Sequence, residues 1–551
     1  MRMNRKIIPF MSVVIALILV LGLSACGGSN NQSQQGQPSQ QGSSSTSSSG
    51  TQSSPSQPSA PAASDEGPEY GGMFRIGTGA DTAMPLGFPW EHQVFPSQFI
   101  LSPYIEPLLA AKNDGTFTPW LAESYIVDVE HDELYFKLRK DVRFTDGSVF
   151  NAEVAAWNMQ MQVDAKQMNP TVLGAEVRGE YEYAVILANY LNVIVPTFAN
   201  RPFSMISKEN YDKNGADYAM MNPVGTGPFV LNDWVPGSKV SFVKNNDYWQ
   251  EGKPYLDSVE FIAMSDVMTQ NAALMSTGSD GIDQLSTGNG EQISMLMASA
   301  PIYVKEQQGG FNALIPSSMN ADSPLAKLEV RQAVSYAIDR ESIVEARGFG
   351  ILRPSTQLLA EGFIGHLADD SLNVRYDPGK AKELLSNAGY PNGFTTTIYG
   401  MGGSDRDTLV AIQGMLGEIG ITASIEFPEA GAAAELRTGY WEGFLYTGVG
   451  NFINSGTTFR FMLDPGYDNF PTMWRPDIKD LYDAVRAAPT LVLEEQYASE
   501  LNRLGLENML MIPIIDTKSC FILRNNVHDT GFGDYTAQTV WLPSETWKSS
   551  K

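Results

Sequence analysis

The sequence predicts an α/β protein made of several folded units, and three observations carry that expectation. At 551 residues the chain amounts to roughly three to four units of ordinary domain size. Period-two strand signals and capped amphipathic helices occur along the same chain. The composition, 43% hydrophobic with 50 Gly and 32 Pro, allows sizeable cores joined by many turns, and excludes a helical rod, a collagen and a wholly disordered chain. Lys and Arg number 37 against 62 Asp and Glu, and the net charge of −25 repels phosphate backbones, so no nucleic-acid partner is expected. Cys26 and Cys520 are the only cysteines, too few for a disulfide framework or a structural zinc site, and neither metal nor cofactor is expected.

Arg2, Arg5 and Lys6 precede an apolar run from Ile7 to Leu23, followed by Leu23-Ser24-Ala25-Cys26. This pattern resembles a bacterial lipobox: residues 1–25 would be an export signal, and the Cys26 thiol would take a diacylglyceryl group before cleavage makes it the first residue. The segment 26–68 is Ser, Gln, Gly and Pro with almost no large apolar side chain, so nothing in it offsets ordering entropy. A flexible tether of that length reaches roughly 35 Å, enough to hold a folded body just off a lipid surface.

The folded part then reads in order. Met73-Phe74-Arg75-Ile76 alternates as a first strand into a Gly turn at 77–79, which lacks the later glycine of a dinucleotide site and the lysine of a phosphate loop. Leu134 to Arg139 alternates with period two, and a turn follows at Thr145-Asp146-Gly147-Ser148. Asn151 stands as an N-cap before Glu153, with Val154 and Trp157 expected on one helical face. The apolar stretch 183–198 is interrupted by Asn189 and Asn192 and closed by Pro196, so it reads as buried strand or helix and not as a membrane span. Val330, Val334, Ala337 and Ile338 form a helical stripe that Asp339 ends while capping the next helix, which stops near Gly348. Asp377-Pro378 opens a further helix with Gly389 as its C′ residue. Cys520 sits among Ile514, Ile515 and Phe521 to Leu523 as a buried strand thiol.

Several longer motifs occur in a telling order: Tyr104-Ile105-Glu106-Pro107-Leu108-Leu109, Pro119-Trp120-Leu121-Ala122-Glu123-Ser124, Phe136-Lys137-Leu138-Arg139, and Val142-Arg143-Phe144-Thr145-Asp146-Gly147. Downstream come Asn222-Pro223-Val224-Gly225-Thr226-Gly227-Pro228-Phe229, Asn245-Asn246-Asp247-Tyr248-Trp249, Val330 to Arg340 and Tyr376 to Ala381. In this order and spacing they resemble the oligopeptide/dipeptide/nickel class of extracellular solute-binding proteins. The resemblance covers residues 70–550. It implies a two-lobed periplasmic-binding-protein-like fold with an extra subdomain inserted in the first lobe. By that analogy 69–107, 220–315 and 516–551 form lobe I, 108–219 the inserted subdomain and 316–515 lobe II. It also implies a monomeric, non-enzymatic receptor, closing on a small-molecule or peptide-like ligand and delivering it to an ABC permease at the extracellular face of the bacterial membrane.

Met84, Phe88 and Trp90 follow the first strand in a loop that opens onto the cleft in that class. Ser317, Ser318 and Asn320 match a second cleft-edge segment, although Lys327 replaces an acidic residue usual there. Peptide binders of the class carry an aspartate in a Trp-containing segment of lobe II, where it pairs with the ligand's ammonium. The corresponding stretch Gly448 to Gly456 holds no carboxylate, and Val449 stands where the Trp is expected. A buried ammonium without a counter-charge costs several kcal/mol, which argues against an amine-clamped peptide. Asn451, Asn454 and Ser455 would offer neutral donors and acceptors beside Phe452, and Arg460 could pair with a carboxylate. Two other classes stay open: a sensor that passes its liganded shape to a signalling partner, and a secreted hydrolase with paired carboxylates in its cleft. The sequence holds no Gly-x-Ser-x-Gly elbow and no His-Glu-x-x-His, and His92, His131, His366 and His528 are isolated, so no catalytic residue is expected.

Overall fold

The computed structural model describes residues 67–79, 82–92, 98–112, 114–438, 441–464, 475–534 and 540–550. The export segment, Cys26 and the tether up to residue 66 lie outside the described residues. No helix among the described residues is long and apolar enough to cross a membrane.

A ten-stranded sheet runs through the body. Its spatial order is Thr422–Glu426, Thr395–Gly400, Phe444–Gly450, Ile302–Pro316, Ile512–Arg524, Gln284–Thr287, Met73–Thr78, Ser258–Ala263, Lys239–Lys244 and Phe229–Val235. The two long central strands pair antiparallel from Ile302 opposite Arg524 to Leu314 opposite Ile512. Toward one end Cys520 to Leu523 also pair with Gln284–Thr287, and toward the other Gly310 to Pro316 also pair with Phe444–Gly450. The same two strands therefore serve two half-sheets. Between Gln308 and Gly310 their register slips, and Gly310 has φ +142 with the site of a Cβ only 2.0 Å from Val449 O. Only glycine fits a bulge approached so closely by a neighbouring backbone.

The apolar core divides in the same way. Phe74, Phe229, Phe242, Phe261 and Trp541 pack on one half-sheet, while Val330, Ile398, Leu409, Phe444 and Ile512 pack on the other. A separate four-stranded antiparallel sheet, Ala122–Asp128, Glu133–Leu138, Glu182–Leu187 and Val172–Gly179, has its own core of Leu134, Phe136, Met159, Tyr183 and Phe198.

Local signals explain the helices. The side chain of Asn151 caps Ala152–Asp164 by accepting from Val154 N, that of Asp339 caps Arg340–Arg347, and that of Asp377 caps Pro378–Asn387, which is followed by Gly389 at φ +92. On Ala152–Asp164 the buried face is Ala152, Ala155, Asn158, Met159 and Gln162, while Val154 and Trp157 flank it half-buried. The face tolerates Asn158 because that amide donates to Ile206 O at 2.9 Å and accepts from Ile206 N at 2.9 Å, tying a passing segment to the helix. The stretch 183–198 ends the strand Glu182–Leu187 and continues into the short helix Ile194–Thr197. Cys520 lies buried in its strand as a free thiol, pushed up to about 12 by burial.

Candidate functional site

The side chain of Glu106 is buried and gathers four donors from three distant segments. Its Oε1 accepts from Trp120 Nε1 at 2.9 Å and Tyr248 OH at 2.6 Å, and its Oε2 accepts from Thr226 Oγ1 at 3.0 Å and Trp249 Nε1 at 2.9 Å. Burial pushes the carboxyl above its ordinary value, while the four donated bonds pull it down. An indole N–H can only donate, so an oxygen facing one is best left as a carboxylate, and the geometry favours the ionised form. All the acceptor positions of this group are thereby filled. Glu106 organises the wall and has no lone pair left for a ligand.

Above this hub lies a cavity of about 1040 Å³, at the upper end of the range for small-molecule and cofactor sites. Its walls come from the segment after Gln98, from the segments around Trp120 and Arg201, from Gln307-Gln308-Gly309 and Ser519 on the crossing strands, and from Asn451, Phe452 and Phe461. The site therefore sits where the two half-sheets exchange strands, with residues of both around it.

Two cations line the cavity. Arg201 donates through Nη2 to Trp541 O at 2.8 Å and through Nη1 to Ile105 O at 3.3 Å, and its Nε makes no hydrogen bond among the described residues. Burial lowers it to about 10, with the charge of Glu106 working in the other direction, so it stays protonated at neutral pH. Lys112 is the second and makes no ion pair among the described residues. The lining carboxylates are both engaged: Glu106 as described, and Glu545 with Lys253. Among the described residues no cluster of three or more His, Cys, Asp or Glu is placed to hold a metal ion.

Of the residues expected at the site, Asn451 and Phe452 line the cavity. The amide of Asn451 accepts from Ala360 N at 2.9 Å and donates to Leu358 O at 3.1 Å, so it holds a loop in place. Asn454 caps the helix Ser455–Leu463 and donates to Glu494 Oε1 at 3.0 Å, and Ser455 gives the same oxygen its backbone N–H at 2.8 Å and its hydroxyl at 2.6 Å. Both are internal and lie outside the lining, as does Arg460 on that helix, whose charge acts on Tyr482. Phe88 and Trp90 stack on each other at 5.1 Å, with Phe88 also 6.4 Å from Tyr211; neither lines the cavity, nor does half-buried Met84. Buried Ser318 follows the far end of the strand Ile302–Pro316, and Asn320 turns its side chain onto Asp322 N at 3.1 Å. Glu106, Trp120, Arg201 and Tyr248 were missed as lining residues. Glu106, Trp120 and Tyr248 stood inside the motifs that carry the resemblance, but nothing in a linear reading shows that those motifs meet.

Comparison with known proteins bears on this geometry. The model of the bacterial extracellular solute-binding proteins, family 5 (middle part), matches residues 116–470. Over 355 residues, 63% of this chain and 68% of the relative, the sequence is 29% identical to the glutathione-binding protein GsiB of Salmonella choleraesuis (strain SC-B67). Among solved structures, HbpA2 from Haemophilus parasuis is 20% identical with a TM-score of 0.74, over 87% of this chain and 100% of that one. The dipeptide binding protein from Pseudoalteromonas sp. SM9913, in complex with Met-Leu, is 19% identical with a TM-score of 0.70, over 87% and 100%. Both share the two-lobed α/β architecture. Matched by the family model over more than half its length and folded as those binding proteins are, the chain belongs to the bacterial extracellular solute-binding proteins, family 5, the solute-binding class of ABC importers.

Proposed function

We propose that this protein is a receptor, held at the outer face of a bacterial membrane by a lipid on Cys26, that captures a small anionic, peptide-like solute between its lobes and delivers it unaltered to an ABC import permease. The observation that carries this reading is the 1040 Å³ cavity at the strand crossing, whose cations Arg201 and Lys112 are available while its carboxylates are engaged. A buried guanidinium with an unspent N–H is suited to a carboxylate, and such charge-assisted bonds are the strong ones. The saturation of Glu106 and the lack of a carboxylate in Gly448 to Gly456 argue against a clamped ammonium. Relatives named for glutathione binding, and a neighbour solved with Met-Leu, favour a short peptide. We assign 69–107, 220–315 and 516–551 to lobe I, 108–219 to the inserted subdomain and 316–515 to lobe II, a division supported by the separate apolar cores.

The test is a thermal-shift and calorimetric screen of glutathione, acidic and neutral short peptides, and neutral sugars. A solute at about 100 times its dissociation constant adds roughly 2.7 kcal/mol to stability. Acidic peptides should bind, and Arg201→Ala should weaken them by at least about tenfold, the loss of one charge-assisted bond. Preference for neutral sugars, indifference to Arg201→Ala, or recovery of a cleaved solute would each overturn the reading.

A further inference from the structure

Beyond its cationic side, the cavity has an aromatic face whose construction is informative. The strand Phe444–Gly450 ends at the cavity, and the chain passes through Asn451 and Phe452 before the helix Ser455–Leu463. This connection is tied down at each step. Asn451 N donates to Gly309 O at 2.9 Å, and its side chain grips Ala360 N and Leu358 O. Phe452 N donates to Thr458 Oγ1 at 2.8 Å, and the same hydroxyl lies 3.3 Å from both Phe452 O and Asn454 O, between which it can share its proton.

The Phe452 ring is then fixed in turn. It stacks on Phe461 with centroids 4.8 Å apart and planes 22° from parallel, and its Cε2 and Cζ lie against Gly450, 3.4 Å from where a Cβ would stand. Both rings line the cavity, and Phe452 is still 37% exposed. A phenyl ring held by a pinned backbone and a stacked neighbour, yet left open to a binding cavity, has paid its ordering entropy before any ligand arrives. Such a face favours another flat apolar group over an aliphatic one of equal charge.

We infer that Phe452 and Phe461 form a specificity subsite that takes an aromatic or flat apolar group of the captured solute. The inference rests on the capture reading above and narrows it: the solute carries an anionic group for Arg201 and, within the span of one cavity, an aromatic or flat apolar one.

Calorimetry with two matched anionic pairs tests it: glutathione against S-benzylglutathione, and acetyl-Ala-Ala against acetyl-Ala-Phe. The wild-type protein should bind the aromatic member of a pair at least tenfold more tightly. Phe452→Ala should bring the two members within threefold of each other, with the aromatic member losing the larger share of its affinity. Phe452→Leu, a milder change, gives a second reading if the alanine variant folds poorly. Equal binding of both members by the wild-type protein, or a preference that survives both substitutions, overturns the subsite and leaves the capture reading standing. Failure of all four to bind overturns the anionic-peptide reading and the subsite with it.

Discussion

Two buried carboxyls show how differently one side-chain type can be used. Glu106 accepts on both oxygens from four donors, two of them indoles that cannot accept. Glu494 is as deeply buried, but its bonds from Asn454 and Ser455 all end on Oε1, and Oε2 accepts none among the described residues. Opposite outcomes follow for the same substitution. Glu106→Gln turns an NH₂ toward donors and should cost about 3 kcal/mol, read by urea denaturation. Glu494→Gln keeps its accepting oxygen and removes a buried charge without a cation, so it should be neutral or stabilising by about 1 kcal/mol at pH 7. Burial raises the Glu494 carboxyl above its ordinary value, so the folded chain holds this proton to higher pH than the unfolded chain does. Its contribution is therefore full below the ordinary value and is lost as pH rises through the folded one. Denaturation midpoints of wild type and Glu494→Gln should converge toward pH 4 and separate toward neutrality.

At the scale of elements, the crossing strands make a cavity because each half of each strand serves a different half-sheet, with the register slip at Gln308 to Gly310 between them. A second contact joins the segment between the strand Glu182–Leu187 and the helix Ile194–Thr197 to the helix Pro476–Ala487, whose last carbonyls have no partner within the helix. Asn192 N donates to Arg486 O at 2.8 Å and Asn192 Nδ2 donates to Val485 O at 2.6 Å. The same Asn192 presents Oδ1 at 2.8 Å from where a Gly456 Cβ would stand, and Val193 Cγ1 lies 3.2 Å from it. If the lobes proposed above open and close about the cavity, these bonds between segments 293 positions apart would hold the closed arrangement together more than they hold either lobe. Asn192→Ala should shift the melting temperature little, while the radius of gyration of the unliganded protein rises and ligand dissociates several-fold faster. Scattering and stopped-flow measurements check both. Unchanged values would mean that the contact contributes nothing to closure.

For the whole molecule the question is where it works. If Cys26 carries the lipid, Cys26→Ser should move the protein from the detergent-soluble membrane fraction into the medium without altering ligand affinity, because residues 26–68 separate the anchor from the folded body. Membrane retention of the substituted chain would leave the anchor unexplained. A chain of net charge −25 with cations lining its cavity also keeps its surface repulsive to acidic partners and its site receptive to an acidic solute.

Much of the architecture was legible in the sequence, because caps, turns and period-two alternation are set by near neighbours. Asn151, Asp339 and Asp377 cap the helices they were expected to cap, and Leu134 to Leu138 lies within the strand Glu133–Leu138. The order of the family motifs carried the two-lobed fold. The site was less legible, since a cavity is made by segments more than a hundred residues apart. Thr226 and Tyr248 reach Glu106 across 120 and 142 positions. The same short-range chemistry that makes Asn454 and Ser455 attractive as ligand groups makes them good caps and partners for Glu494, and only packing decides between the two uses. The linear chain therefore determined the elements and their family order, which depend on neighbours a few residues apart. The tertiary structure alone decided which polar groups are spent inside the fold and which are left facing the cavity, because that depends on what the rest of the molecule brings within three ångströms.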